Sequence, residues 1–387
     1  MRRSGVALVA LSAACFTSVT SENLPVALLA ELAAGLGVPE SAVGLLVTGY
    51  AVVVALTVVP LVAVTAHWDR RTTALVTVAA IAVSNVLLAV APGYGVAVAA
   101  RVVSAVGHGV FWSVVAPMAA RLLGPDRVGR ATAVVFAGNS LAFLVGLPLS
   151  SWLGATLGWR PTALAMAGVA ALAAVAIRVT VDPMPGERAT PRRGPSAVRR
   201  AVTDRSLLPV NLVTVVVVTG HFTVFTYITV IIADYAHLTG AGTSALLLAH
   251  GAAGLLGLVV FGRFVDSRPR ATALAVTGGL AACMVVLATL GSAPVAGAAV
   301  VLWAVPSGGM AVVLQAAVLR TAADRPDLAS AVYIVAFQVG IALGAWVGGV
   351  FLDRGALPVA VAVAAACGLA AAVVVRRSAA FSGAPNT

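Results

Sequence analysis

Residues 181–206 read VDPMPGERATPRRGPSAVRRAVTDRS, with Pro183, Pro185, Pro191 and Pro195 set among Arg192, Arg193, Arg199 and Arg200. A stretch so rich in proline and charge buries too little apolar surface to offset the entropy of ordering it, and it reads as a solvated linker. The chain on either side has the opposite character, with long runs of Ala, Val, Leu and Gly broken by short polar turns. The linker therefore divides the protein into residues 1–180, the linker itself at 181–206, and residues 207–387 with a short tail.

Of the 387 residues, 61% are apolar and 10% charged, and the mean hydropathy is +1.05. A soluble domain of this size needs a polar surface, and 24 basic and 13 acidic residues gathered into short clusters do not supply one. Crossing the hydrocarbon as a helix takes about 20 apolar residues. Cutting the sequence at its charged, Pro-Gly and Asn-Asp interruptions gives twelve spans. They lie at 5–29, 43–66, 72–91, 95–120, 130–153, 159–179, 207–233, 243–263, 271–291, 294–319, 328–352 and 356–375. The expected fold is all-α and integral to the membrane, with twelve transmembrane helices in two pseudo-symmetric bundles of six.

The composition excludes several chemistries. All 24 basic residues are arginine, so a Walker A lysine, a Schiff-base lysine and a lysine general base are absent. Cys15, Cys283 and Cys367 are far apart inside apolar runs, without the spacing of a metal site or a disulfide framework. The net charge of +11 is spread between spans rather than gathered into a nucleic-acid-binding patch. No HExxH, DDxxD, GxSxG or nucleotide loop is present, which disfavours an integral membrane enzyme acting on lipid-linked substrates. No cofactor, metal or nucleic-acid partner is expected.

The arginines also orient the chain. With the N-terminus inside, 21 of them fall in cytoplasmic segments, Arg160 and Arg354 fall outside, and Arg101 lies within a span. Both termini are expected in the cytoplasm of a bacterial cell whose plasma membrane the chain crosses many times. The start, Met1-Arg2-Arg3 followed by an apolar run to Cys15, resembles a secretion signal, but the run continues well past Cys15 and reads as an uncleaved first helix.

The halves echo each other. The turn Ala66-His67-Trp68-Asp69-Arg70-Arg71 after span two has a counterpart after span eight, Gly262-Arg263-Phe264-Val265-Asp266-Ser267-Arg268-Pro269-Arg270. Equivalent positions in two six-helix halves suggest a transporter built from repeats, with its site at their interface. Each turn sets an Asp at a helix end beside arginines, an arrangement suited to a latch that opens and closes one side; solvation and topology are the simpler use of the same charges.

On these features the sequence resembles the major facilitator superfamily, in particular its proton-driven drug and sugar efflux branch of arabinose-efflux-like and chloramphenicol-resistance-like permeases. Three stretches carry the resemblance, which runs from about residue 16 to 375. One is Ser21-Glu22-Asn23-Leu24-Pro25, continuing through Gly37-Val38-Pro39-Glu40-Ser41 to Gly44-Leu45-Leu46-Val47-Thr48-Gly49-Tyr50-Ala51. Another is Arg101 with Gly107 and Gly109 in span four. The third is Gly138, Gly146-Leu147-Pro148, Gly154 and Gly158-Trp159-Arg160, similar to the span-five motif of exporters. The resemblance implies export rather than uptake, and a protein that works as a monomer. One departure stands out: the family's first turn begins with Gly four residues before its Asp, where this chain has Thr65 before Asp69, whereas Gly262 and Asp266 keep that pattern.

Ionisable groups inside a bilayer are costly unless paired or hydrated, and this chain has few. Glu22 lies seven residues before the estimated exit of span one and Arg101 six residues after the entry of span four, so both sit ~10 Å deep and at one level. Glu22 is the expected proton carrier, because burial raises a carboxyl pKa while a nearby Arg lowers it, and a change in their distance would move it between forms. A fixed Glu–Arg pair, or a Glu facing outside water, would use the same residues. His108, two turns after Arg101, is placed to relay the proton, or else is packed between Gly107 and Gly109 and hydrogen-bonded to a backbone.

The expected substrate cavity draws on Asn85, Asn139, His221, His250, Gln315, Gln338, Trp112 and Tyr227, as neutral donors, acceptors and stacking surfaces for an uncharged or hydroxylated molecule. Interhelical hydrogen bonding and packing are the competing uses. Asp69, Arg70, Gly262, Asp266 and Arg270 are the expected gating residues, with Gly146 and Pro148 of the exporter motif. The function expected is secondary active export of a small organic molecule (drug, sugar or metabolite) against protons by alternating access. Proton-coupled uptake by the same fold is the rival.

Overall fold

The computed structural model describes residues 2–65, 67–123, 128–186, 206–289, 292–322 and 326–382, and among them every extended regular element is helical. In hydrocarbon each backbone N–H and C=O must find its partner inside the protein, and a helix provides this for runs of Ala, Val, Leu and Gly. Among the described residues twelve helical stretches are long and apolar enough to cross a membrane, from Ser4–Glu22 to Leu357–Arg377. This matches the number of spans expected from the sequence.

In chain order, α1 (Arg2–Glu22), α2 (Leu24–Ala27) and α3 (Leu29–Leu36) form the first span and its extension. Then come α4 (Glu40–Thr65), α5 (Arg70–Ala89), α6 (Tyr94–Leu123), α7 (Val128–Leu141), α8 (Leu147–Leu157) and α9 (Trp159–Thr180). The second half holds α10 (Leu208–Phe225), α11 (Ile228–Ala236), α12 (Ala241–Phe264), α13 (Pro269–Thr289), α14 (Ala293–Thr321), α15 (Pro326–Asp353) and α16 (Leu357–Arg377). A π-helical turn, Ala142–Gly146, joins α7 to α8 just ahead of Pro148, which has no N–H to continue the ladder.

Spans one and seven differ from expectation: each breaks and resumes as a shorter helix. Leu28, at the second break in span one, has φ −114° and ψ 27°, and Tyr227, between α10 and α11, has φ −112° and ψ 27°. Both extensions end on a left-handed residue, Gly37 in one half and His237 in the other. The starts of α5 and α13, and of α6 and α14, are separated by the same interval as Leu28 and Tyr227. The repeat thus extends to individual backbone angles.

Helix packing repeats as well. In the first half α1 packs on α7 and α9, α5 on α6 and α9, and α6 on α7; in the second α10 packs on α15 and α16, α13 on α14 and α16, and α14 on α15. The described residues fall into two compact units, Met1–Val38 with Val52–Pro191, and Pro39–Ala51 with Arg192–Thr387.

Small residues set the spacing, as expected where lipid gives helices no hydrophobic reason to associate. A side chain at Gly138 would run into the carbonyl of Ser12, and one at Gly146 into Thr20, so span five lies directly on span one. In the second half Gly344 and Gly348 press against the carbonyls of Thr219 and Thr223 on span seven. Gly344→Leu is expected to lower the thermal unfolding midpoint of the purified protein by the equivalent of about 1–3 kcal/mol, the usual cost of overpacking. Gly262→Leu, at a position where nothing lies within 4 Å of the place a Cβ would take, is expected to leave it unchanged.

Candidate functional site

The polar centre of the first half begins with a proline. In a continuous helix the carbonyl of Ser21 would accept from the amide of residue 25, but Pro25 has none. The carbonyl of Glu22 loses its partner too, because the amide of Val26 turns to Asn23 at 3.0 Å. Arg101, on α6 and only 2% exposed, supplies both missing donors: Nη1 donates to Ser21 O and Nη2 to Glu22 O, each at 2.7 Å. Its planar fork spans two adjacent carbonyls, a task a lysine ammonium performs poorly.

Around this joint the structure gathers Glu22, Arg101, His108 and Asn85. Glu22 Oε2 lies 3.8 Å from His108 Nε2, and the other ring nitrogen, Nδ1, is 3.2 Å from Ser18 Oγ. Asn85 Nδ2 donates to Ser21 Oγ and to the carbonyl of Ile81, both at 2.8 Å. The side chain of Glu22 is 19% exposed and that of His108 8%. A carboxylate with partial access to its surroundings thus touches a buried imidazole that continues to a serine. Ser18 and Ser21 are not among the site residues expected from the sequence. Their signal lies in the polar run Thr17-Ser18-Val19-Thr20-Ser21-Glu22 inside an otherwise apolar span. Trp112, one turn beyond His108, stands with its ring 6.1 Å from the imidazole.

The polar centre of the second half is neutral and aromatic. His221 on α10 accepts at Nδ1 from Trp303 Nε1 on α14, at 3.1 Å. It also stacks on Phe225 with ring centroids 5.0 Å apart. His250 on α12 donates from Nδ1 to the carbonyl of Val300 at 2.8 Å and meets the Trp303 ring edge-on at 5.3 Å. All four of these side chains are buried.

The other expected cavity residues are dispersed. Gln315 donates to Ser330 Oγ at 2.8 Å, an interhelical bond. Gln338 is buried, and its Oε1 has no partner among the described residues. Asn139 is half-buried on α7. Tyr227 is wholly buried; its hydroxyl donates to Ala345 O at 2.9 Å and occupies the space left by Gly44.

At the turn after span two, Asp69 caps α5, accepting from the amide of Thr72 at 3.0 Å. The Arg70 amide donates to Met184 O at 2.7 Å, and Arg71 donates to Val181 O, just past the end of α9. The turn after span eight repeats the last contact, with Arg270 donating to Ser378 O just past the end of α16. Here Asp266 faces Arg320 on α14 at 3.6 Å. Among the described residues the Asp–Arg contact across helices is made by Asp266, and Asp69 acts as a helix cap. Arg160 of the Gly158-Trp159-Arg160 motif donates to the carbonyl of Ala91, closing the end of α5.

Arg101→Met is expected to strand two buried carbonyls and lower stability by on the order of 2 kcal/mol, measured by thermal unfolding in detergent. Asp69→Ala, which removes only a cap, is expected to cost about 1 kcal/mol.

Residues 10–345 match the sequence profile of the Major Facilitator Superfamily. Over 369 residues the chain is 38% identical to a chloramphenicol efflux pump of Mycobacterium tuberculosis, covering 91% of this chain and 87% of that one, and equally to its counterpart from a second strain. Among solved structures, a POT family transporter in complex with 5-aminolevulinic acid superposes with a TM-score of 0.79 at 10% identity, covering 97% of this chain and 95% of that one. The human organic anion transporter MFSD10 does so with 0.74 at 16% identity, covering 96% and 99%. Twelve apolar helices, the length of the profile match and the extent of the relatives' alignment agree: the chain belongs to the Major Facilitator Superfamily, as a multi-pass membrane transporter of a small molecule and not an enzyme.

Proposed function

We propose that the protein exports chloramphenicol or a similarly small uncharged molecule across a bacterial plasma membrane in exchange for protons, working as a monomer with both termini in the cytoplasm. The observation that supports this most is the 38% identity, over 91% of the chain, to a chloramphenicol efflux pump. The polar centre on span one is consistent with the proton half of the exchange.

In this reading Glu22 carries the proton. Its carboxylate has partial access to its surroundings, and His108 with Ser18 offers a short relay deeper into the half. Arg101 acts as an anchor, tied to the carbonyls of Ser21 and Glu22 and holding the broken end of α1 in place. The neutral amides and aromatic rings elsewhere in the spans suit an uncharged substrate, for which no countercharge is needed. The Asp266–Arg320 pair after span eight is the gating contact, broken and remade as access alternates.

Expression in an efflux-deficient bacterial host is expected to raise the inhibitory concentration of chloramphenicol several-fold, and Glu22→Gln to abolish the gain with the protein still in the membrane. In everted vesicles acidified by respiration, chloramphenicol is expected to draw protons out through wild type and not through Glu22→Gln. No resistance from membrane-inserted wild type would remove the drug assignment. Resistance unaffected by Glu22→Gln would remove the proton carrier.

A further inference from the structure

The interval that carries Leu28 onto Tyr227, and the starts of α5 and α6 onto those of α13 and α14, also carries Glu22 onto His221. The second half therefore holds a titratable group at the position where the first half holds its carboxylate, six residues before the break in the repeated helix. Its surroundings are unlike those of Glu22. Among the described residues no arginine stands by it; its ring is closed in by Phe222, Phe225, Trp303 and a small apolar cavity lined by Val217, Leu280 and Met284.

The hydrogen bond to Trp303 determines the state of this ring. An indole N–H can only donate, so the imidazole nitrogen facing it at 3.1 Å carries no proton, and the neutral ring holds its single proton on the other nitrogen. A second proton has one place to go, the nitrogen that Trp303 occupies. Imidazolium and indole would then present two N–H groups to each other, and the contact between α10 and α14 must open. Among the described residues no carboxylate is within reach to compensate. The titratable groups on the helices packed around His221 are His250 on α12, whose Nδ1 is engaged by Val300 O, Tyr333 on α15 and Tyr227 just past α10, whose hydroxyls donate to Ala311 O and Ala345 O, and the thiols Cys283 on α13 and Cys367 on α16. The Asp and Arg residues described in this half sit at helix ends and in turns, Arg320 being seventeen residues beyond Trp303 on α14.

We propose that His221 is a second proton-binding site of this protein, and that taking up a proton at the nitrogen bonded to Trp303 breaks the span-seven to span-ten contact. Proton binding and opening of this contact are linked: the packed arrangement holds the neutral ring, and acid favours the opened one. This site goes beyond the export reading and does not rest on it, since it concerns a hydrogen bond within the second half whatever the molecule carried.

The test uses the full-length protein in lipid nanodiscs with its six tryptophans replaced by 5-fluorotryptophan, the resonance of Trp303 being assigned from Trp303→Phe. Lowering the pH from neutral into the acid range is expected to shift the Trp303 fluorine signal in wild type. In His221→Gln, which keeps an acceptor for the indole but has no titrating group, the shift is expected to be lost. In His250→Gln, which leaves the Trp303–His221 bond in place, it is expected to persist. A wild-type Trp303 signal that does not move, a shift that survives His221→Gln, or one that vanishes in His250→Gln would each overturn the proposal. A wild-type signal that does not move overturns the proposal whether or not the variants fold, and should His221→Gln fail to fold, a shift that persists in His250→Gln still assigns the titration to His221 and one that vanishes there still overturns it.

Discussion

A carbonyl without an amide is tolerable in water and expensive in a bilayer, and Pro25 creates one at Ser21 in the middle of the first span. Much of the first half's chemistry follows from how that missing hydrogen bond is replaced. The guanidinium of Arg101 satisfies both carbonyls, at 2.7 Å each, and in doing so brings a full positive charge into the membrane. The acidic residue at the same break is Glu22, whose carbonyl takes the guanidinium while its carboxylate reaches His108. The break in the helix, the buried arginine and the titratable carboxylate are thus one arrangement with a single structural origin.

The second half shows that the break does not itself demand charge. Tyr227 adopts the same backbone angles as Leu28 without a proline nearby, and its hydroxyl donates to Ala345 O on the helix packed beside it. Gly44 leaves room for that phenol, and Gly348 brings α15 against the carbonyl of Thr223. With no proline to remove an amide, Thr226 N donates to Phe222 O and Tyr227 N to Val224 O, no cation is required, and the position equivalent to Arg101 is Val300, whose carbonyl accepts from His250. Two copies of one fold have therefore placed unlike chemistry at like positions, an arginine on backbone carbonyls with a carboxylate–imidazole contact beside it in one and a histidine–indole pair in the other.

The twelve spans are legible in the sequence because apolar length is a strong signal and the bilayer allows few alternatives to a helix. Glu22, Arg101, His108 and Asn85 are legible for a related reason: polar groups at membrane depth are rare enough to be picked out singly, and four of them meet within the first half. What stays hidden is partnership. Nothing in the residue types says that Arg101 turns its fork to two carbonyls, which follows only once Pro25 and Arg101 are known to lie side by side. Ser18 and Ser21 are common helix-interior residues in membranes, and their part in the site depends on which face of α1 meets α6. The breaks in spans one and seven leave no comparable mark, because hydropathy is blind to φ and ψ.

The two turns that look alike in sequence show how local context divides one motif between two tasks. Arg71 and Arg270 make the same bond, each to a carbonyl just beyond the last helix of its half, so in both copies this arginine ties the turn to the end of the bundle. The acidic residues differ because their registers differ. Asp69 stands immediately before α5, where its carboxylate reaches the amide of Thr72 and is held there as a cap. Asp266 stands three residues before α13, beyond reach of the first-turn amides; it is left exposed and meets Arg320 from another helix. A cap is local and moves with its helix, whereas a pair between α14 and the turn after α12 is strained by any motion of one past the other. A contact that senses relative motion must join two elements, and among the described residues Asp266 makes one, to Arg320.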